Sequence, residues 1–151
     1  MKCLNVFGSK LLWGVVIGLC CGLWLISSLF EFFEMGSTSM EPYIIGQGNP
    51  PTHRGDEVLI LKRFYQPLHL GDLVLLTIGG SDPTPTIRRV AGISGDAVPD
   101  PEQTDSTVVK VPDGYYFLLG GTTNALDSRQ LGLFSSAQIS GKVIWVKHSS
   151  R

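Results

Sequence analysis

Charge is scarce in this sequence. Asp, Glu, Lys and Arg make up 17% of its 151 residues, against about a quarter in typical soluble domains. Neither sign prevails, with 12 basic side chains against 13 acidic ones. The basic face that neutralises phosphates is therefore missing, which argues against a nucleic-acid partner. Cysteine is confined to positions 3, 20 and 21, leaving nothing for a disulfide framework or a Cys-based zinc site farther along. No His/Cys/Asp/Glu cluster has metal-ligand spacing and no glycine-rich loop carries the lysine of a phosphate cradle, so no cofactor and no metal are expected. The length allows one modest domain plus an anchor.

What is present divides unevenly. Residues 11–30 read LLWGVVIGLCCGLWLISSLF, with 15 apolar side chains, three glycines, two serines and no charge. At about 1.5 Å per residue such a helix spans the roughly 30 Å bilayer core. A cleaved signal peptide would have an apolar region of only about 7–15 residues and a small-residue cleavage site; here Phe30, Glu31, Phe32, Phe33 and Glu34 follow instead. The expected organisation is a short basic head (1–10), a transmembrane helix (11–30) and an outer domain (31–151). Lys2 and Lys10 precede the span, and no basic residue follows until Arg54, so the head stays on the cytoplasmic or matrix side. All nine prolines and all 13 acidic residues fall in 31–151, none of the cysteines. Gly14, Gly18 and Gly22 recur every fourth residue on one helix face. That spacing lets another helix approach closely, or reflects how common glycine is in membrane helices.

The outer part is punctuated like a β protein. Short β-rich runs at Glu57–Leu61, Leu73–Ile78, Thr86–Ile93, Thr107–Val111, Tyr115–Leu119 and Lys142–Lys147 are separated by Gly-Asp at 55–56, 71–72 and 95–96 and by Pro-Asp-Gly at 112–114. Runs such as Val58-Leu59-Ile60-Leu61 are apolar on both faces, as packed barrel or sandwich strands are. No second stretch keeps a helical apolar period.

Directly after the span comes Gly36-Ser37-Thr38-Ser39-Met40-Glu41-Pro42. A small polar run closed by Met and Pro makes poor core and an exposed bend. A serine there is a candidate nucleophile if a base lies near it and donors face the developing oxyanion, and equally a member of a serine-rich juxtamembrane linker.

Ser39-Met40-x-Pro42 after a single N-terminal span resembles the nucleophile box of type I signal peptidases. Arg88-Arg89-Val90-Ala91-Gly92-Ile93-Ser94-Gly95-Asp96 is similar to that family's Lys-Arg-Val-x-Gly-x-x-Gly-Asp box. Asn124-Ala125-Leu126-Asp127-Ser128-Arg129-Gln130-Leu131-Gly132 resembles its Asn-Ser-x-Asp-Ser-Arg-x-x-Gly box, and Ile139-Ser140-Gly141-Lys142-Val143 matches its closing strand. The short chain and minimal head resemble most the mitochondrial inner membrane peptidase branch. The resemblance implies a mainly β fold, with a single transmembrane helix before a compact signal-peptidase-like domain. It implies a serine endopeptidase at the mitochondrial inner membrane, its domain in the intermembrane space, that removes targeting or sorting segments from precursor proteins. Ser39 would attack the scissile carbonyl, its N–H and the Ser37 hydroxyl would form the oxyanion hole, and Asp127 and Arg129 would support the site or merely pin a loop. A second peptidase subunit on the Gly14/Gly18/Gly22 face is the implied membrane partner.

Two positions depart from the pattern. The family's base is a lysine, or a histidine in the endoplasmic-reticulum branch; here that position is Arg88. A guanidinium has a pKa above about 12 and no lone pair suited to proton abstraction. The serine that orients the family's lysine is replaced by Ala125. The alternatives are an active peptidase with its base from His53, His69 or Lys62, a non-catalytic subunit supporting an active partner, and a membrane-tethered peptide-binding module. Arg89 reaching the lysine's place would change nothing, being arginine too. Trp145 is expected in the core or as an interfacial anchor, and Lys142 as a solvated charge capping a strand.

Overall fold

The computed structural model describes residues 4–47, 55–62, 67–79, 84–100 and 108–149. His53, residue 107 of the expected strand Thr107–Val111 and residues 1–3 of the head lie outside them. The first helix, α1 (Leu4–Leu29), is longer than the expected span at its N-terminal end. Its stretch Leu12–Leu29 is long and apolar enough to cross a membrane and has no part buried against the rest of the chain.

Phe30, expected at the helix end, instead opens strand β1 (Phe30–Glu34). Here the pattern changes from continuous apolar to Phe and Glu interleaved, which suits a strand's period of two. Eight further strands follow among the described residues: β2 (Glu57–Lys62), β3 (Leu73–Ile78), β4 (Thr84–Gly92), β5 (Ala97–Pro99), β6 (Val108–Lys110), β7 (Tyr115–Leu119), β8 (Phe134–Ser135) and β9 (Ile139–Lys147). Seven form one antiparallel sheet in the order β1-β2-β9-β3-β4-β7-β8, while β5 and β6 pair separately. A one-turn helix, α2 (Ser128–Leu131), lies between β7 and β8. The domain is therefore mainly β behind one apolar helix, as the sequence implies.

Three bulges bend the sheet. Register shifts at Leu59/Ile60 and Leu75/Leu76 mark extra residues in β9, and a third lies between Val90 and Gly92 of β4; a bulge sharpens local twist and bends its strand. Gly141 sits at one of them, where an added Cβ would come within 2.5 Å of the Ile60 side chain and 2.9 Å of the Leu61 carbonyl.

One core cluster joins Met35, Met40 and Ile44 to Val58, Ile60, Leu75, Ile87 and Val143. A second collects Leu68, Val74, Leu76, Val90, Leu118 and Phe134, and a third Val98, Val111 and Phe117. Each buried aliphatic side chain contributes about 1.5–3 kcal/mol. The residues after β1 thus enter the main core, which fixes the Ser39 bend against the sheet.

Trp145 is half-exposed, in register with Leu59, which in turn pairs with the largely exposed Phe32. This apolar row lies on the strands that follow α1. Lys142 is not simply solvated: its Nζ is 2.7 Å from Asp72 Oδ2, tying β9 to the turn before β3.

Candidate active site

Ser39 lies in a single 3-10 turn, Thr38–Met40. Ser37 caps it from an extended conformation, its Oγ accepting the Ser39 N–H at 3.2 Å. Met40 is completely buried and fastens the turn to the core. From the other side, the loop after β7 closes on the same turn. The N–H groups of Gly121 and Thr122 donate to the Ser39 carbonyl at 2.8 and 3.4 Å. A Cβ on Gly121 would lie 2.2 Å from the Glu41 carbonyl oxygen, and one on Gly120 would lie 3.0 Å from that of Ser39. Only glycine permits this approach. The sequence reading missed both; their signal is a Gly-Gly pair ending an apolar strand.

Arg88 comes in from β4. It is 4% exposed, with Ile87 turned into the main core and Val90 into the second. The two hydrogens of its Nη1 are shared among three acceptors, the Ile87 carbonyl at 2.6 Å, Thr86 Oγ1 at 2.7 Å and Ser39 Oγ at 3.0 Å. Nε and Nη2 both reach the Leu126 carbonyl, at 3.1 and 2.9 Å. Burial pulls the Arg88 guanidinium below its ordinary pKa, nearby Asp127 opposes this, and Arg129 adds to it. Arginine still stays charged in proteins. The position expected to hold a base therefore holds a donor aimed at the Ser39 hydroxyl.

Asp127 is fully buried. It receives Arg129 twice, Nε to Oδ1 at 3.0 Å and Nη2 to Oδ2 at 2.6 Å, and the N–H groups of Gly120 and Arg129 at 2.8 and 3.0 Å. Burial pushes its carboxyl up, but the side-chain bond from Arg129, the backbone N–H groups of Gly120 and Arg129, and the Arg129 charge outweigh it. The group is held below the usual carboxylate range. Ser128 Oγ accepts the Leu118 N–H at 2.8 Å. Together these bonds pin the 120–129 loop to β7 and present the Leu126 carbonyl to Arg88. Asp127 and Arg129 thus hold the loop that meets the site, and neither bonds to Ser39.

The suggested substitute bases lie elsewhere. Lys62 pairs with Glu31 at 2.9 Å, and the exposed His69 faces Asp72 at 3.9 Å. Arg89 stacks over Tyr43, 5.4 Å from the ring centroid, rather than reaching Ser39. A cleft of about 440 Å³ opens over Ser39, bordered by Ser37, Ile78, Pro85, Arg88, Asn124 and Leu126, with Ala125 on its wall. Among the described residues lining it there is no lysine and no histidine. A neighbouring groove of about 300 Å³ runs between residues 33–37 and Thr84–Thr86 and shares Ser37, Thr84, Pro85 and Thr86 with the cleft. The two groups expected to form an oxyanion hole, Ser37 Oγ and the Ser39 N–H, are bonded to each other.

A serine on a tight turn facing a cleft, with a second hydroxyl beside it, is the arrangement that comparison with known proteins has to place. A family model described as signal peptidase, peptidase S26, matches residues 99–147. The mitochondrial ATP-independent inner membrane protease subunit 1b of Arabidopsis thaliana is 33% identical over 112 residues, covering 68% of this chain and 66% of that protein, just under two thirds of its length. Signal peptidase I of Bacillus licheniformis is 25% identical over 160 residues, covering 84% of this chain and 81% of the relative. The chain belongs to the signal peptidase family.

Proposed function

We propose that this chain is a membrane-anchored subunit of signal-peptidase-type processing that holds precursor segments in its cleft without cutting them itself. It stands in the mitochondrial inner membrane through α1, with the sheet domain in the intermembrane space, beside an active peptidase subunit. The observation that carries the reading is the bond from Arg88 Nη1 to Ser39 Oγ. A general base must accept the serine proton, and this group only donates. The mitochondrial setting draws on the plant relative, and the orientation on Lys2 and Lys10 ahead of the span. The row of exposed Phe32 and Trp145 with half-buried Leu59 between them suits contact with the bilayer interface, where aromatic side chains concentrate. The face of Gly14, Gly18 and Gly22 has open space around each α-carbon, room for the partner's helix.

The retention of Ser39 and Ser37 at the cleft favours a second reading, a serine endopeptidase whose base comes from outside the described residues. Full-length protein in detergent, incubated with a precursor that carries a targeting segment, separates the two. Binding without cleavage, alike in wild type and Ser39→Ala, is expected. Cleavage that disappears in Ser39→Ala would establish the endopeptidase instead.

A further inference from the structure

We infer that the cleft beside Ser39 is a receptor for the free C-terminal carboxylate of a peptide, the chain end that endoproteolysis creates. The inference rests on the peptide-holding reading above and names what is held.

Hydrogen-bond polarity is the first support. Because Ser39 Oγ accepts from Arg88, and Ser37 Oγ accepts from the Ser39 N–H, both hydroxyl hydrogens are left for an occupant of the cleft. Ser37 and Ser39 therefore offer hydroxyl donors at one end of it, beside the charge of Arg88, whose N–H groups are largely spent on Ser39, Thr86, Ile87 and Leu126. A site built to deprotonate serine needs an acceptor there; two free hydroxyl hydrogens beside a buried guanidinium suit an anion.

Charge points the same way. Among the described residues, buried Arg88 is bonded to neutral acceptors, a hydroxyl pair and two carbonyls. Asp127, whose charge is felt at Arg88, is engaged twice over by Arg129. Two cations thus share one anion. An unpaired buried charge is unfavourable unless a counter-charge arrives, and the lining contains no acidic side chain among the described residues.

Shape limits the class of ligand. Apart from its polar end, the cleft is bordered by Ile78, Pro85, Ala125 and Leu126, which suit small apolar side chains. The adjoining groove gives an extended chain a path between residues 33–37 and Thr84–Thr86. A main-chain carboxylate needs only the space of its two oxygens beside Ser39 and Arg88. The reaction that supplies such an end is hydrolysis of a peptide bond by an active endopeptidase, which places this subunit after the cut.

The test uses the full chain in detergent and fluorescent alanine-rich peptides, identical except for a C-terminal carboxylate or carboxamide. The carboxylate form should bind at least about tenfold more tightly, and Arg88→Met should reduce that ratio to below about twofold. If Arg88→Met fails to fold, the wild-type ratio alone decides. Equal binding of the two peptides would overturn the chain-end receptor and leave the peptide-holding reading standing. Binding of neither would overturn both. A carboxamide peptide ending in Glu that binds as well as the free-end peptide would overturn the selectivity for chain ends.

Discussion

The two halves of the site have been treated differently by this sequence. The nucleophile half is built with care: Ser37 caps the turn, Met40 is sunk in the core, and Gly120 and Gly121 lie against the turn from the far side. The base half keeps its frame, with Asp127 and Arg129 pinning the loop, but exchanges the working groups. Arginine stands at 88 and alanine at 125. On the proposed reading, the scaffold around a serine persists while the proton chemistry is reversed, because packing and proton transfer rest on different atoms.

Breaking the nucleophile half should have the largest effect on stability. Met40→Ala empties a fully buried site and should cost about 3–4 kcal/mol, read as a lower midpoint in urea unfolding. Peptide binding should weaken with it, since the turn loses its anchor.

Asp127→Asn tests the frame of the base half. Losing the charge-assisted bonds to Arg129 and the N–H groups should cost about 2–3 kcal/mol. The pH dependence has a definite sign. A carboxyl held low in the folded state stabilises above its unfolded pKa of about 3.9, and that stability fades as pH falls through the lower folded value. Melting temperature should drop in acid for the wild type, and less steeply for Asp127→Asn. Some acid sensitivity should survive through Asp56 and Asp72, whose carboxyls are also held low: burial raises them, while hydrogen bonds from Ile45, Ser149 and His148, or from His69 and Lys142, prevail.

Ser39→Ala should change stability least, by under about 1 kcal/mol, since one bond to Arg88 is lost while Thr86, Ile87 and Leu126 still hold the guanidinium. A loss above 2 kcal/mol in thermal unfolding would show that the serine is part of the scaffold after all.

Much of this comparison was legible in the sequence, because both halves are local. The strands around β2, β3, β4, β7 and β9 follow from β-branched and apolar runs between turn formers. Glycine at 95, with φ +88°, closes the Ser94–Asp96 turn, as the Gly-Asp signal suggests. What escaped is what depends on distant partners. β1 was hidden at the end of a long apolar run, and its partner β2 is formed by residues far along the chain. β5 and β8, three and two residues long, are too short to show a period. Asp56 reads as a turn residue, yet it is buried, receiving the N–H groups of Ile45 and Ser149 and lying 2.8 Å from His148 Nδ1. That Arg88 would face Ser39 followed from the resemblance; that Leu126 would hold it there required the folded loop.

The most direct measurement is cleavage of a precursor peptide by the wild type and by the double variant Arg88→Lys/Ala125→Ser, which restores an amine and a hydroxyl to the base half. If Arg88 is what silences Ser39, the wild type leaves the peptide intact, the double variant cuts it, and adding Ser39→Ala abolishes the cut. Ser39-dependent cleavage by the wild type, or a folded and peptide-binding double variant that remains inert, would contradict that account.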